Sequence, residues 1–282
     1  MACQLVENQQ PLNPDDLVSV IYGLCKFHFN EDSGKTLGVL TARVRRNLSL
    51  YTLTDISQII SSLARVGVCN RPLVSDITPL ITPESIEALS NRSLSNLMTG
   101  LARFGAKSSP KNPIWDILAN EVIRRLQSDS QWSLSDLLAT TLAYSVSATP
   151  NRDVLDRFFS IVSHHLLSVT LDLQSVSKYI KACSRVEFRD VETLSHCASS
   201  LRQIAEFPFK VDTRDLLQIY TNLDKLGIEM KDLEDELTTR DIAIPSNKSV
   251  TWFPASRQKS PKKETRQNQV KSDSLRKRKY SW

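Results

Sequence analysis

Few residues in this chain are of a type and spacing that could do covalent chemistry. Ser33-Gly34-Lys35-Thr36 has the composition of the end of a phosphate-binding loop. The full motif needs a glycine five residues before Gly34 and a strand leading into it. Phe29 holds that place, and the segment before it has a helical pattern, so a nucleotide site is not expected. His164 and His165 are adjacent, and adjacent residues on a helix point to different faces, which makes them poor joint metal ligands. His196 beside Cys197 diverges by about 100° for the same reason, and Cys197 falls on an apolar stripe. The five cysteines, Cys3, Cys25, Cys69, Cys183 and Cys197, are odd in number and form no Cys-x-x-Cys pair. That does not point to a disulfide framework or zinc site and better fits a reducing compartment. No acid, base, nucleophile or metal set converges, so the sequence predicts no enzyme, no cofactor, no metal and no small-molecule substrate.

Charge is the stronger signal. Residues 243–282 hold eleven Lys or Arg against two acidic residues, while residues 1–242 hold 25 basic against 29 acidic. A mildly acidic body with a strongly basic tail suggests a tail that meets a polyanion. Lys262, Lys263, Arg266, Lys271, Arg276, Lys277, Arg278 and Lys279 are the candidate RNA-phosphate contacts. The run from Arg276 has two other readings, a nuclear localisation signal and a solvated end. Trp252 and Phe253 form an apolar pair ahead of Pro254 and are the candidate anchor on a partner. Prolines 245, 254 and 261 with many Ser and Gln predict an extended or disordered tail.

The body is organised by one repeated stretch, clearest from Arg92 to Ala106. Leu94, Leu97, Met98 and Leu101 fall at i, i+3, i+4 and i+7, one face of a helix. Ser93 stands where a cap is wanted and Gly105 where a helix stops. Leu17, Ile56, Leu94, Leu134, Leu173 and Leu216 anchor six such stretches at spacings of 39, 38, 40, 39 and 43. The residues before them, Asp16, Asp55, Ser93, Ser133, Asp172 and Asp215, all read as N-caps. Asp55 with Gln58 and Asp215 with Gln218 resemble capping boxes. Eleven residues after each anchor come His28, Gly67, Gly105, Ser145, Ser184 and Gly227, the expected stops. A helical period in the high thirties means stacked helix pairs. The predicted fold is all-α, a right-handed α-hairpin solenoid of about six repeats of 38–43 residues. The domain organisation is a lead-in at 1–12, the repeats at 13–242 and the basic tail at 243–282.

Each repeat needs a second helix. Leu37, Leu40 and Val44 supply the first, ending in Arg43, Arg45 and Arg46, which suit a helix C-terminus or a phosphate. Pro79 and Pro83 split the next one, predicting a short helix near Leu73–Ile77 and a new start at Thr82-Pro83. The third starts at Asn112-Pro113 and points Ile114, Ile117, Leu118, Val122 and Leu126 inward. Leu155, Phe158, Val162 and Leu166 serve the fourth. Leu194, Cys197, Ala198, Leu201 and Ile204, after the cap Asp190, serve the fifth. No apolar run of 18 residues exists, so membrane insertion is not expected. No targeting peptide is visible, since the first basic residue is Lys26.

On the first helices, the polar positions form columns. Two residues after each anchor stand Ser19, Gln58, Asn96, Asp136, Ser175 and Gln218; nine after stand Lys26, Arg65, Arg103, Ala143, Ala182 and Lys225. Gln58 and Asn96 could read bases. Lys26, Arg65, Arg103 and Lys225 could hold phosphates. Any surface helix is polar on one side, and that is the competing account of both columns.

The signature Leu94-Ser95-Asn96-Leu97-Met98 leading to Leu101-Ala102-Arg103-Phe104-Gly105 resembles the octotricopeptide and heptatricopeptide repeat families. These are organellar RNA-binding helical-hairpin proteins. The resemblance covers roughly residues 12–242, and no RAP module is recognisable after it. It implies a non-catalytic RNA-associated protein of an organellar ribonucleoprotein, most simply a mitochondrial ribosome. Its partners would be rRNA and neighbouring proteins. The other reading is a protein-binding helical scaffold or adaptor whose basic tail is a localisation signal.

Overall fold

The computed structural model describes residues 13–27, 31–68, 70–107, 113–128, 131–147, 151–205, 212–229 and 231–239. The chain divides into a helical unit over Met1–Ile244 and a second unit over Pro245–Trp282. The second unit lies outside the described residues. So do the tail sites expected at Trp252, Phe253, Lys262, Lys263, Arg266, Lys271 and Arg276 to Lys279.

Among the described residues there is no strand. The α-helices are α1 Pro14–Phe27, α2 Glu31–Arg46, α3 Leu53–Arg65, α4 Arg71–Ile77, α5 Pro83–Glu87, α6 Asn91–Arg103, α7 Ile114–Gln127, α8 Leu134–Val146, α9 Arg152–Leu166, α10 Leu173–Val186, α11 Val191–Ala205, α12 Thr213–Lys225 and α13 Lys231–Thr239. The first helices pack in chain order, α1 on α3, α3 on α6, α6 on α8, α8 on α10 and α10 on α12. A second row forms from α2 on α4, α5 on α7, α7 on α9 and α9 on α11. The rows join where α1 meets α2, α8 meets α9, α10 meets α11 and α12 meets α13.

The local signals place the starts and stops, with one correction of register. The caps are Thr52, Ser90, Ser133, Asp172 and Asp212, whose side chains accept from the N–H of Asp55, Ser93, Asp136, Ser175 and Arg214. At α1 the carbonyl of Asn13 accepts from the Leu17 N–H at 3.1 Å. Ser133 and Asp172 are caps as the sequence predicts. Asp16, Asp55, Ser93 and Asp215 are not; they sit in the first turn, three residues inside. The capping box joins Thr52 to Asp55, at 2.9 and 3.2 Å, instead of Asp55 to Gln58.

Counting four residues from each cap gives the structural anchors Leu17, Ile56, Leu94, Leu137, Val176 and Leu216, all buried. Leu134 and Leu173 are only half-buried, so repeats four and five shift by three residues. The spacings become 39, 38, 43, 39 and 40. The stops then align. Gly67, Gly105, Glu187 and Gly227 all take left-handed φ of 56–75° eleven residues after their anchors. Ser145 and Ser184, read as stops from the sequence, lie inside α8 and α10. After each left-handed residue comes Val68, Ala106, Phe188 or Ile228. Its N–H donates to the carbonyl of Leu63, Leu101, Cys183 or Leu223 at 2.9–3.1 Å. This is the Schellman closure, with its apolar residue just outside the helix.

The second helices follow the proline signals. Helix α4 ends at Ile77, and α5 begins at Pro83 behind the cap Thr82. Helix α7 differs from expectation: Pro113 itself occupies the cap position, and Ile117 and Leu126 are half-buried, while Trp115, Ala119 and Ile123 join Ile114, Leu118 and Val122 in the core. An aromatic seam crosses repeats three to five through Trp115, Tyr144, Phe158, Phe159 and Phe188, with successive ring centroids 4.6–6.5 Å apart.

One polar knot sits inside this packing. Arg125 and Glu121 of α7 are buried and pair at 2.6 Å. Arg125 also donates to the carbonyls of Ile86 and Glu87 at the end of α5, at 2.9 and 3.3 Å, and to Asn91 Oδ1 at the start of α6, at 2.9 Å. One guanidinium thus joins three helices. Burial alone would raise the Glu121 pKa, but hydrogen bonds from Arg124 and Arg125 bring it below its ordinary value.

Candidate nucleic-acid interface

The corrected register changes the surface columns. Asp136 and Ser175 leave the base-reading column. Both are buried one residue before their anchors, and Asp136 accepts from Arg92 of the neighbouring repeat. Ala139 and Lys178 take their places beside Ser19, Gln58, Asn96 and Gln218. Gln58 and Asn96 are half-buried. A mixed column with Ala and Lys in it does not repeat a hydrogen-bonding group in each repeat.

The column nine residues after each anchor gains what the other loses. Ala143 and Ala182 are buried and drop out, and Val146 and Arg185 replace them. The column now reads Lys26, Arg65, Arg103, Val146, Arg185 and Lys225, every member exposed. Five of the six are cations in the last turn of their helices. A cation is favoured there by the negative end of the helix dipole. Because the first helices stack side by side in chain order, this local preference becomes a row. Packed helices lie 8–10 Å apart, so the row repeats at about 10 Å.

The row is reinforced in repeats two and three. The second helices begin at the edge where the first helices end, which brings Arg71 and Lys107 there. These two line one shallow cleft with Phe104, Gly105 and Ala106. Arg103 donates to the Ala64 carbonyl at 3.1 Å, spanning the joint between repeats two and three. In repeats five and six the same turns carry Glu187, Asp190, Asp224 and Glu229 against Arg185, Arg189, Lys225 and Lys231, and in repeat one Glu31 and Asp32 open the second helix. The cationic edge is therefore densest over repeats two and three, on Arg65, Arg71, Arg103 and Lys107, with Lys26 leading into it. Sequence reading missed Arg71, Lys107 and Arg185; the left-handed stop with its following apolar residue was the signal that locates all three.

Aromatic rings stand at the first end of this edge. The Lys26 ammonium is 5.4 Å from the Tyr22 ring centroid and 5.2 Å from that of Phe27. The Arg65 guanidinium carbon is 6.0 Å from the Tyr22 centroid. Hydrogen bonding to Lys26, then its charge, hold the Tyr22 phenol below its ordinary pKa, with Arg65 adding to the effect.

The other candidate chemistry resolves into structure. Ser33 to Thr36 lie within α2, so no phosphate-binding loop forms there. Arg45 at the end of α2 pairs with Asp76 at 2.6 Å. His164 is exposed and His165 half-buried on α9. The His196 ring contacts the Val169 carbonyl at 3.1 Å. Cys197 is buried, which pushes its thiol up to about 12, far from a reactive thiolate. Burial also pushes up Cys183, and pushes Cys25 up to about 11. Among the described residues, no group of three or more His, Cys, Asp or Glu could hold a metal, and no helix is long and apolar enough to cross a membrane.

No protein-family model matches the chain, and no curated protein is similar to it at a significant level.

Proposed function

We propose that this chain is a right-handed α-hairpin solenoid of six repeats that binds RNA without catalysing a reaction. It serves as a structural component of an organellar ribonucleoprotein, in the simplest case a mitochondrial ribosome. The observation that carries the RNA reading is the exposed cation column at one position of successive first helices, reinforced by Arg71 and Lys107 over repeats two and three. At about 10 Å per repeat and about 3.4 Å per stacked nucleotide, one repeat spans about three nucleotides. The basic tail adds phosphate contacts of its own. The organelle rests on the resemblance of the helix signature alone.

The test is salt dependence. The full-length protein is titrated with a 15-nucleotide single-stranded RNA between 50 and 300 mM salt. It is compared with a variant carrying Arg65→Gln, Arg71→Gln and Lys107→Gln. Each phosphate contact contributes about −0.7 to the slope of log affinity against log salt, so the variant flattens the slope by about 2. An unchanged slope refutes the edge as the RNA contact.

One observation favours a second reading, a protein-binding scaffold with a localisation tail: the 29 acidic residues of the body outnumber its 25 basic ones. Native pull-down of the tagged protein, with RNA and proteins both sequenced, separates the two. A single enriched rRNA with ribosomal proteins supports the ribonucleoprotein reading. A small protein set without enriched RNA supports the scaffold.

A further inference from the structure

We infer that the first end of the cationic edge stacks an unpaired base on Phe27, which makes the ligand single-stranded. The inference rests on the RNA-binding reading and deepens it. Phe27 stands ten residues after its anchor. In later repeats that position is covered: Phe104, Ser147 and Leu226 are buried, and Val66 and Val186 half-buried. Phe27 is 66% exposed. A large ring left in water is unfavourable on its own terms, and this one does not stand alone. Lys26 lies 5.2 Å from its centroid, and the same ammonium reaches Tyr22, against which Arg65 also lies.

The arrangement pairs what a single strand offers. A base presents a π-face to an aromatic side chain, and the phosphate beside it meets a cation. In a duplex both faces of each base are already stacked and the edges are paired, so proteins that stack bases on aromatic side chains take them from unpaired segments. Lys26 begins the row that continues through Arg65 and Arg103. A strand with one base on Phe27 then has its following phosphates directed along the edge. Stacking contributes at one base, and the cations along the rest of the path. The two contributions are separable because only the second depends on salt.

The test uses the full-length protein and its Phe27→Ala and Phe27→Trp variants. The probes are one 15-nucleotide sequence as single-stranded RNA, as single-stranded DNA and as duplex RNA. Removing a stacking ring weakens single-strand binding by about 5- to 150-fold. Phe27→Ala should show a loss in that range on single strands, an unchanged salt slope and unchanged duplex affinity. Phe27→Trp should bind as tightly as the parent or tighter. Loss on both RNA and DNA assigns the contact to the base and phosphate they share; loss on RNA alone assigns it to a site that also requires the 2′-hydroxyl. Unaltered single-strand affinity in Phe27→Ala overturns the inference, as does an equal loss on duplex. Absence of salt-dependent binding by the parent protein overturns the RNA reading itself, and this proposal with it. Phe27 is exposed, so its truncation does not threaten the fold; circular dichroism of the variants checks this.

Discussion

Val146 interrupts the cation column between Arg103 and Arg185, and filling it should strengthen binding. It ends α8 and is 47% exposed, so Val146→Arg adds a charge without disturbing the core. The new cation extends the edge at the side where Arg103 now ends it. One added phosphate contact steepens the slope of log affinity against log salt by about 0.7. That corresponds to about 5-fold tighter binding at 0.1 M salt and about 3-fold at 0.2 M, vanishing towards 1 M. Misfolding cannot imitate a gain, and the fold is expected to benefit. Arg has the higher helix propensity, and a cation in the last turn adds about 0.3–1 kcal/mol. Fluorescence anisotropy with the 15-nucleotide RNA over a salt series reads the effect. Val146→Glu should move affinity and slope in the opposite direction. If the Arg and Glu variants bind alike at every salt concentration, the strand does not pass this position, and the column is only a set of complemented helix dipoles.

Other predictions concern the frame that sets the column. A Cβ at Gly100 would stand 2.7 Å from Ile60 Cγ1 and 3.0 Å from the Ile60 carbonyl carbon, whereas at Gly23 it would meet nothing within 4 Å. Gly100→Ala should therefore lower stability by about 1–2 kcal/mol despite its better helix propensity, and Gly23→Ala should raise it by about 1 kcal/mol, both read by urea unfolding. Glu187 holds a left-handed φ of 56° where three other repeats have glycine, so Glu187→Gly should stabilise by about 0.5–1 kcal/mol. Arg125→Met strands the carbonyls of Ile86 and Glu87, removes one of the two arginines from which Glu121 accepts, and should cost about 3 kcal/mol. The folded pKa of Glu121 lies below its ordinary value. Its contribution is therefore fully present above about pH 4.3 and is lost as pH falls through the depressed value. Glu121→Gln should flatten that acid limb of the urea midpoint; an unchanged limb would place the acid sensitivity elsewhere.

The helices, their order and most of their core faces were legible because apolar spacing and punctuation agree. Pro79 and Pro83 marked the split second helix correctly, and Leu37, Leu40, Val44, Leu155, Phe158, Val162 and Leu166 are all buried as expected. The register was not fully legible, for a chemical reason. A cap and the residue three places inside it favour the same side chains, because the capping box uses both. Thr52 and Asp55, or Ser90 and Ser93, can each be read as the start. Leucines at 134, 137, 138 and 142 then allow α8 two phases. The buried Glu121–Arg125 knot was hidden differently: at i, i+4 it looks like any surface ion pair, and only packing against α5 and α6 shows that it is inside.

The stop is a better ruler than the start. A left-handed residue followed by an apolar one can be satisfied in one place, since the closing N–H must reach the carbonyl five residues before it. Measured from the cap-like residues, position nine reads cation, cation, cation, Ala, Ala, cation. Measured from the stop, the fifth member becomes Arg185 and the fourth becomes an exposed valine. The same shift takes the polar column apart, burying Asp136 and Ser175. A three-residue slip thus weakens the polar column suited to bases and strengthens the cation column suited to phosphates. On the proposed function, recognition by the helical body would follow charge and stacking at one edge, because the corrected polar column no longer repeats a hydrogen-bonding group in each repeat.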